Sequence, residues 1–257
     1  ALSSSGQLKA GTYTQTVGTI LSGADAVNYN TAGIASQNYV VNKLALATNI
    51  TDVTTVYGTS AKTGIATLQG VLAGDVVTLP EATLVGTALS SSGQLKAGTY
   101  QQTVGNSLRG ADADNYTTTP TTQQNYLVTP KAIAVVVTAA DKVYDGNSVA
   151  TLQANSADIV SGDVVNMQGA TGNFASKNVV RDAAGNALAQ TVTVAGTGVG
   201  LGGTDGANYT VTNAASIAAT TAKISPKDLT ASVAAVQTTY GTPADTGKVT
   251  LSGVLQG

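Results

Sequence analysis

"ALSSSGQLKAGTY" stands at residues 1–13 and again, without one change, at residues 88–100. The same shift of 87 residues carries "LSGADAVNY" (21–29) onto "LRGADADNY" (108–116), "QNYVV" (37–41) onto "QNYLV" (124–128) and Tyr57 onto Tyr144. A third phase follows: "TVYGTSAKTGIATLQGVLAG" (55–74) returns as "TTYGTPADTGKVTLSGVLQG" (238–257), with "KVYDGNSVATLQANSADIVSGDVV" (142–165) as a variant between them. Self-similarity at a fixed period dictates fold before any local reading does. Tyr144 to Tyr240 spans 96 residues, so the middle copy is nine longer, and "VVRDAAGNALAQ" (179–190) or "GTGVGLGGTDGANY" (196–209) is where the extra residues are expected.

Punctuation sets the boundaries. "VTPKAIAV" and "ISPKDLTA" each carry a proline, Pro130 and Pro226, that cannot sit in a central sheet ladder. Four pieces follow: the back of a truncated module (1–43), a full module (44–130), a longer full module (131–226) and the front of a truncated one (227–257). The arrangement reads as a window cut from a longer array.

Within each module apolar residues alternate with period two, at Leu46, Thr48 and Ile50, at Ile133, Val135 and Val137, and at Leu229, Ala231 and Val233. Glycines recur at turn spacing, from Gly58 through Gly110 in the first full module. Short strands at such intervals predict an all-β fold, a tandem array of antiparallel β-sandwich-like modules of about 87–96 residues, set end to end as an elongated rod. Composition agrees. Charged residues are 10% and the hydrophobic 42% is mostly Ala and Val, with one Phe, one Met and no Trp. Small β-branched residues suit thin, half-solvated sheets.

Several function classes fall away. A net charge of −2 gives no electrostatic reason to bind nucleic acid. No apolar run of 18 residues spans a bilayer. With no His, no Cys and Glu81 as the only glutamate, general acid–base and nucleophilic catalysis lack their usual groups, so an enzyme is not expected. The absence of cysteine fits an exported surface protein.

The remaining candidates are structural motifs. Tyr57, Tyr144 and Tyr240 occupy one place in three modules and are expected as buried rings whose hydroxyls cap loops. Tyr29, Tyr116 and Tyr209, each preceded by an Asn (Asn28, Asn115, Asn208), are read the same way. Asp75, Asp163, Asp112 and Asp114 are weak calcium candidates. None lies in a spaced calcium loop, and Asp beside Gly is an ordinary turn former, so no cofactor is expected. "NIT" (49–51) and two "NYT" triplets (115–117, 208–210) are glycosylation sequons.

"VYGT", "VYDG", the mid-module "GDVV", the late "GADADNY" and "GANYTVT", and the "TPK" and "SPK" exits together resemble MBG domains of the YGX type and YDG domains. Residues 44–130 resemble the former and 131–226 the latter. Both are tandem repeats of very large filamentous-haemagglutinin-like bacterial adhesins. The resemblance implies an extracellular, cell-surface location and a structural stalk or spacer in an adhesin or matrix fibre, whose first partners are neighbouring modules of the same chain. Two alternatives stand beside it: weak glycan-binding modules that act by avidity on host or matrix sugars, and a filament subunit that self-associates by strand donation.

Overall fold

The computed structural model describes residues 1–18, 20–31, 36–195 and 199–255. Alternation becomes burial in two of the three expected strands; Leu229, Ala231 and Val233 are exposed instead, since among the described residues the pair that carries them packs no layer on either face. Leu46 and Ile50 point into the core while Ala47 and Asn49 face out, and Ile133, Val135 and Val137 repeat the pattern. The described chain is all-β. Its helical content is three short 3-10 turns at Ala26–Asn28, Ala113–Asn115 and Gly206–Asn208. No helix among the described residues is long and apolar enough to cross a membrane.

Contacts divide the chain into two compact units, Ala1–Leu89 with Gln94–Thr129, and Ser90–Gly93 with Pro130–Gly257. In the first, a four-stranded sheet runs in the order Val53–Val56, Thr121–Thr129, Gly98–Val104, Thr83–Val85. Beside it lie the antiparallel pair Ala47–Ile50 with Ala66–Gln69 and the short pair Leu44–Ala45 with Tyr116–Thr117. Ile50, Ala82 and Val104 form the core between layers, with Ala66 and Leu79 against it. Gln102, fully buried on the central strand, accepts a hydrogen bond from the Gly64 N–H and donates to the Thr51 carbonyl and Asn125 Oδ1. The unit's first piece contributes the antiparallel pair Gly11–Gln15 with Gln37–Val41.

The second unit holds a five-stranded sheet in the order Lys142–Val143, Thr220–Ser225, Ala189–Ala195, Thr171–Phe174, Val149–Ala150. Phe174, Val192, Ala222 and Ile224 bury one core, and Val135, Val137, Val199 and Ile217 a second. The Lys142 ammonium lies 5.5 Å from the Phe174 ring centre. It donates to Asp145 Oδ1 (2.8 Å), Asn147 Oδ1 (3.0 Å) and two carbonyls, pinning the turn that carries Tyr144-Asp145-Gly146. The last piece forms the antiparallel pair Thr230–Val233 with Val249–Ser252.

The expected antiparallel arrangement needs correcting. Each full module closes on itself by parallel pairing of its first strands with its last: Val53–Val56 with Thr121–Thr129 and Leu44–Ala45 with Tyr116–Thr117 in one, Lys142–Val143 with Thr220–Ser225 and Lys131–Ile133 with Tyr209–Val211 in the other. Period-two alternation buries one face whichever way the neighbouring strand runs, so the pattern carries no sign of direction. Pro130 and Pro226 follow the closing strands Thr121–Thr129 and Thr220–Ser225, where no ladder needs their missing N–H.

The nine additional residues are also spread more widely than expected. The offset between equivalent positions is 87 at Tyr57/Tyr144, 88 at Asp75/Asp163, 92 at Leu89/Arg181, 93 at Tyr116/Tyr209 and 96 at Pro130/Pro226. Four therefore enter between Asp163 and Arg181 and three between Tyr209 and Pro226.

Candidate functional site

The motif Gly-x-Asp-x-x-Asn-Tyr occurs three times, from Gly23, Gly110 and Gly203. In each, the Asp starts a single 3-10 turn that ends just before the Tyr. Such a turn sets Asp112, Asn115 and Tyr116 on one side of a short loop. The loop rests on the segment after Asp75: the Asp112 N–H donates to the Val76 carbonyl (3.2 Å) and Asp112 Oδ2 accepts the Val76 N–H (2.9 Å). Glycine is required at 110. Its φ is +113°, and a Cβ there would lie 2.3 Å from the Val76 oxygen.

Tyr116 locks the second half. Its buried hydroxyl donates to Asp75 Oδ2 (2.6 Å) and accepts the Leu72 N–H (3.1 Å), clamping the turn Leu72-Ala73-Gly74-Asp75 from both ends. The second full module repeats every part. Asp205 Oδ2 accepts the Val164 N–H at 2.9 Å, and the Tyr209 hydroxyl donates to Asp163 and accepts the Val160 N–H at 2.9 Å.

What the two carboxylates hold is the repeated stretch itself. Residues 3–6 form a β-turn, closed by the Gly6 N–H on the Ser3 carbonyl (2.9 Å), with Gly6 at φ +82°. Its tip donates the Ser4 N–H to Asp112 Oδ1 (3.0 Å) and the Ser5 N–H to Asp75 Oδ1 (2.7 Å), while the Ala10 N–H reaches Asn115 Oδ1 (2.9 Å). Successive main-chain N–H groups converging on anions make a nest. The turn sits against Gly74, whose φ of +96° and missing Cβ let Ser5 approach, since a Cβ there would lie 3.4 Å from Ser5 Cα. Inside the second unit the same contact recurs. The Ser91 N–H donates to Asp205 Oδ1 (3.2 Å), the Ser92 N–H to Asp163 Oδ1 (3.3 Å), and Gly162 at φ +96° lies under Ser92. Identical turns therefore meet equivalent partners.

The electrostatics follow from the donors. The Tyr116 hydroxyl, with the side chain and main chain of Ser5, lowers Asp75 from 3.8 to about 2, against the opposing effect of burial. Asp112 is lowered by the Val76 N–H first and then by Ser4. Burial pushes Asp205 up, but bonds from Val164 and Ser91 outweigh it and hold the group below its ordinary range. Burial, and then the bond to Asp75, raises Tyr116. Carboxylates kept ionised and surrounded by donors act as anchors for N–H groups.

The sequence-level candidates sort accordingly. Asp75, Asp112 and Asp163 turn oxygens toward N–H and O–H donors, whereas Asp114 is exposed on the 3-10 turn. Among the described residues no group of three or more His, Cys, Asp or Glu is placed to hold a metal ion. Tyr57 is buried and its N–H donates to the Thr129 carbonyl (2.9 Å); Tyr144 is half-buried and makes the equivalent bond to Ser225 (2.8 Å). Tyr240 departs from the expected burial and is fully exposed, because the described residues of the piece that carries it form a two-stranded pair with no second layer. Tyr29 and Asn28 are exposed as well, while Tyr116 and Tyr209 are buried. Of the sequons, Asn208 is buried and Asn115 accepts the Ala10 N–H, which leaves Asn49 exposed.

The docking role of Ser3–Ser5 and Ser90–Ser92 was not foreseen. The signal was present in the equal spacing of the serine stretch, the Gly-Asp pair and the Gly-x-Asp-x-x-Asn-Tyr motif.

One family match bears on this architecture. Residues 129–222 carry a YDG domain. The YDG domain includes the Lys142-pinned turn, Asp163, Asp205 and Tyr209, and so the whole acceptor side of the second contact. No curated protein and no solved structure matches the chain.

Proposed function

We propose that the chain is a run of stalk or spacer repeats from an extracellular bacterial adhesin or matrix fibre, in which all-β modules of 87–96 residues follow one another end to end. The observation that carries this reading is one contact, a serine turn on an aspartate pair, made by Ser4 and Ser5 on Asp112 and Asp75 and made again by Ser91 and Ser92 on Asp205 and Asp163. A stalk needs such a contact, because a bare linker leaves adjacent modules free to bend. The YDG domain at 129–222 and the acidic, cysteine-free, Thr-rich composition are in keeping with it.

Single-molecule stretching of the full chain tests the proposal. Each full module is to unfold separately, with contour-length steps of about 300 Å, from ~87–96 residues at about 3.3–3.6 Å each. A single step that covers both modules, or unfolding without resolvable force, would contradict the reading.

A further inference from the structure

A third hairpin stands where the two serine turns stand, in unrelated sequence. "RDAAGNA" at 181–187 occupies the position of "LSSSGQL" at 2–8 and 89–95. An isolated bridge closes each: Leu2 with Leu8, Leu89 with Leu95, Arg181 with Ala187. Outside each bridge runs the same main-chain bond, from Lys9 to Ala1 (3.1 Å), Lys96 to Ala88 (2.9 Å) and Leu188 to Val180 (2.8 Å). Inside it the turn bond repeats, from Gly6 to Ser3 (2.9 Å), Gly93 to Ser90 (2.9 Å) and Gly185 to Asp182 (3.0 Å). The glycine φ values are +82°, +80° and +87°.

The bracing differs and the frame does not. Hydroxyl pairs span the first two turns, Ser3 with Ser5 (2.8 Å) and Ser90 with Ser92 (3.0 Å). In the third, Asp182 Oδ1 accepts the Asn186 N–H (2.8 Å), Asn186 Nδ2 donates to Asp182 Oδ2 (3.0 Å), and Arg181 donates to the Gly185 carbonyl. Ala183 and Ala184 stand at the positions of Ser4/Ser91 and Ser5/Ser92, whose amides grip the aspartates. Docking through main-chain N–H is open to alanine, which gives up only the hydroxyl bonds that Ser4, Ser5 and Ser91 add to the aspartates.

We propose that Asp182–Asn186 is a third docking turn, and that its partner is a further copy of the repeat, whose Gly-Asp loop and Gly-x-Asp-x-x-Asn-Tyr turn accept the amides of Ala183 and Ala184. The inference rests on the hairpin frame and not on the stalk reading, so failure of either leaves the other standing.

The test grafts the third turn onto an acceptor pair already present. In the full chain, residues 90–94 are changed to the sequence of 182–186 by Ser90→Asp, Ser91→Ala, Ser92→Ala and Gln94→Asn. Amide hydrogen exchange is read at 91 and 92, with Val192 and Ile224 reporting on the integrity of the sheet. A docking-competent turn keeps both amides within about tenfold of their rates in the unaltered chain. Ser91→Pro calibrates the loss: position 91 follows the first residue of the β-turn, where proline fits, and the substitution deletes one donor. Amides exchanging about 100-fold faster at 91 and 92, with Val192 and Ile224 still protected, would overturn the proposal. Should the fourfold variant lose protection at Val192 and Ile224, the milder Ser91→Ala/Ser92→Ala chain is read by the same two criteria.

Discussion

Replacing Tyr116 with Phe removes one oxygen from the middle of the docking site and keeps the ring. The ring is 3% exposed, so its packing is retained while two bonds go: the donation to Asp75 Oδ2 at 2.6 Å and the acceptance from the Leu72 N–H at 3.1 Å. A hydrogen bond to a charged group contributes roughly 1.5–3 kcal/mol, whereas the Leu72 N–H belongs to an exposed residue and water replaces its partner at little cost. Tyr116→Phe is therefore expected to destabilise the unit by about 2 kcal/mol at pH 7, a fall in Tm of roughly 6–10 °C for a domain of this size. The pH dependence separates this account from simple loss of packing. Asp75 titrates at about 2 in the folded chain against 3.8 ordinarily, so its contribution is full above about pH 4 and drains as pH falls toward 2. The Tyr116 hydroxyl is the largest cause of that depression. The gap between parent and variant should thus narrow between pH 4 and pH 2. Thermal unfolding by circular dichroism at pH 7, 4, 3 and 2 measures it. Equal Tm values at pH 7, or a gap that stays constant down to pH 2, would refute the reasoning.

Three further outcomes follow from the same geometry. Gly162→Ala should cost about 1–2 kcal/mol in thermal unfolding, because φ is +96° and the new Cβ would meet Ser92 Cβ at 3.3 Å; Gly93→Ala, at φ +80° with open space around it, should show the backbone strain alone and a smaller loss. Tyr126 is fully buried and its hydroxyl finds no hydrogen-bond partner among the described residues, so Tyr126→Phe should be neutral or stabilising by about 1 kcal/mol in chemical denaturation, and a loss above that value would point to a bound water. Calcium at millimolar concentration should move Tm by less than about 1 °C, since the oxygens of Asp75 and Asp112 already face donors.

The parts of this architecture that the sequence betrayed are those with a local signature. Leu46 and Ile50 announce a half-buried strand by their spacing, and Tyr116 and Tyr209 by their repetition. The parallel closure of each module was hidden, because Val53–Val56 and Thr121–Thr129 join residues more than 65 positions apart and alternation is silent on direction. Tyr240 illustrates the opposite failure. Its Tyr-Gly-Thr setting matches that of Tyr57, yet among the described residues no strand pairs beside it as Thr121–Thr129 does beside Tyr57. The docking site was half legible. Asp75 and Asp112 stood out as Asp near Gly, but their partner lies 70 and 108 residues away in a stretch of serines notable only for its repetition. Loop oxygens suggested a cation, and what reaches them is main-chain N–H.

The most direct test of the docking account is a through-hydrogen-bond coupling experiment by NMR on the labelled full chain. Coupling between the Ser5 amide nitrogen and the Asp75 carboxylate carbon, across 2.7 Å, is predicted, with slow exchange of that amide. An uncoupled Ser5 amide exchanging at the rate of a free peptide, in a chain whose Val104 and Val128 amides remain protected, would contradict it.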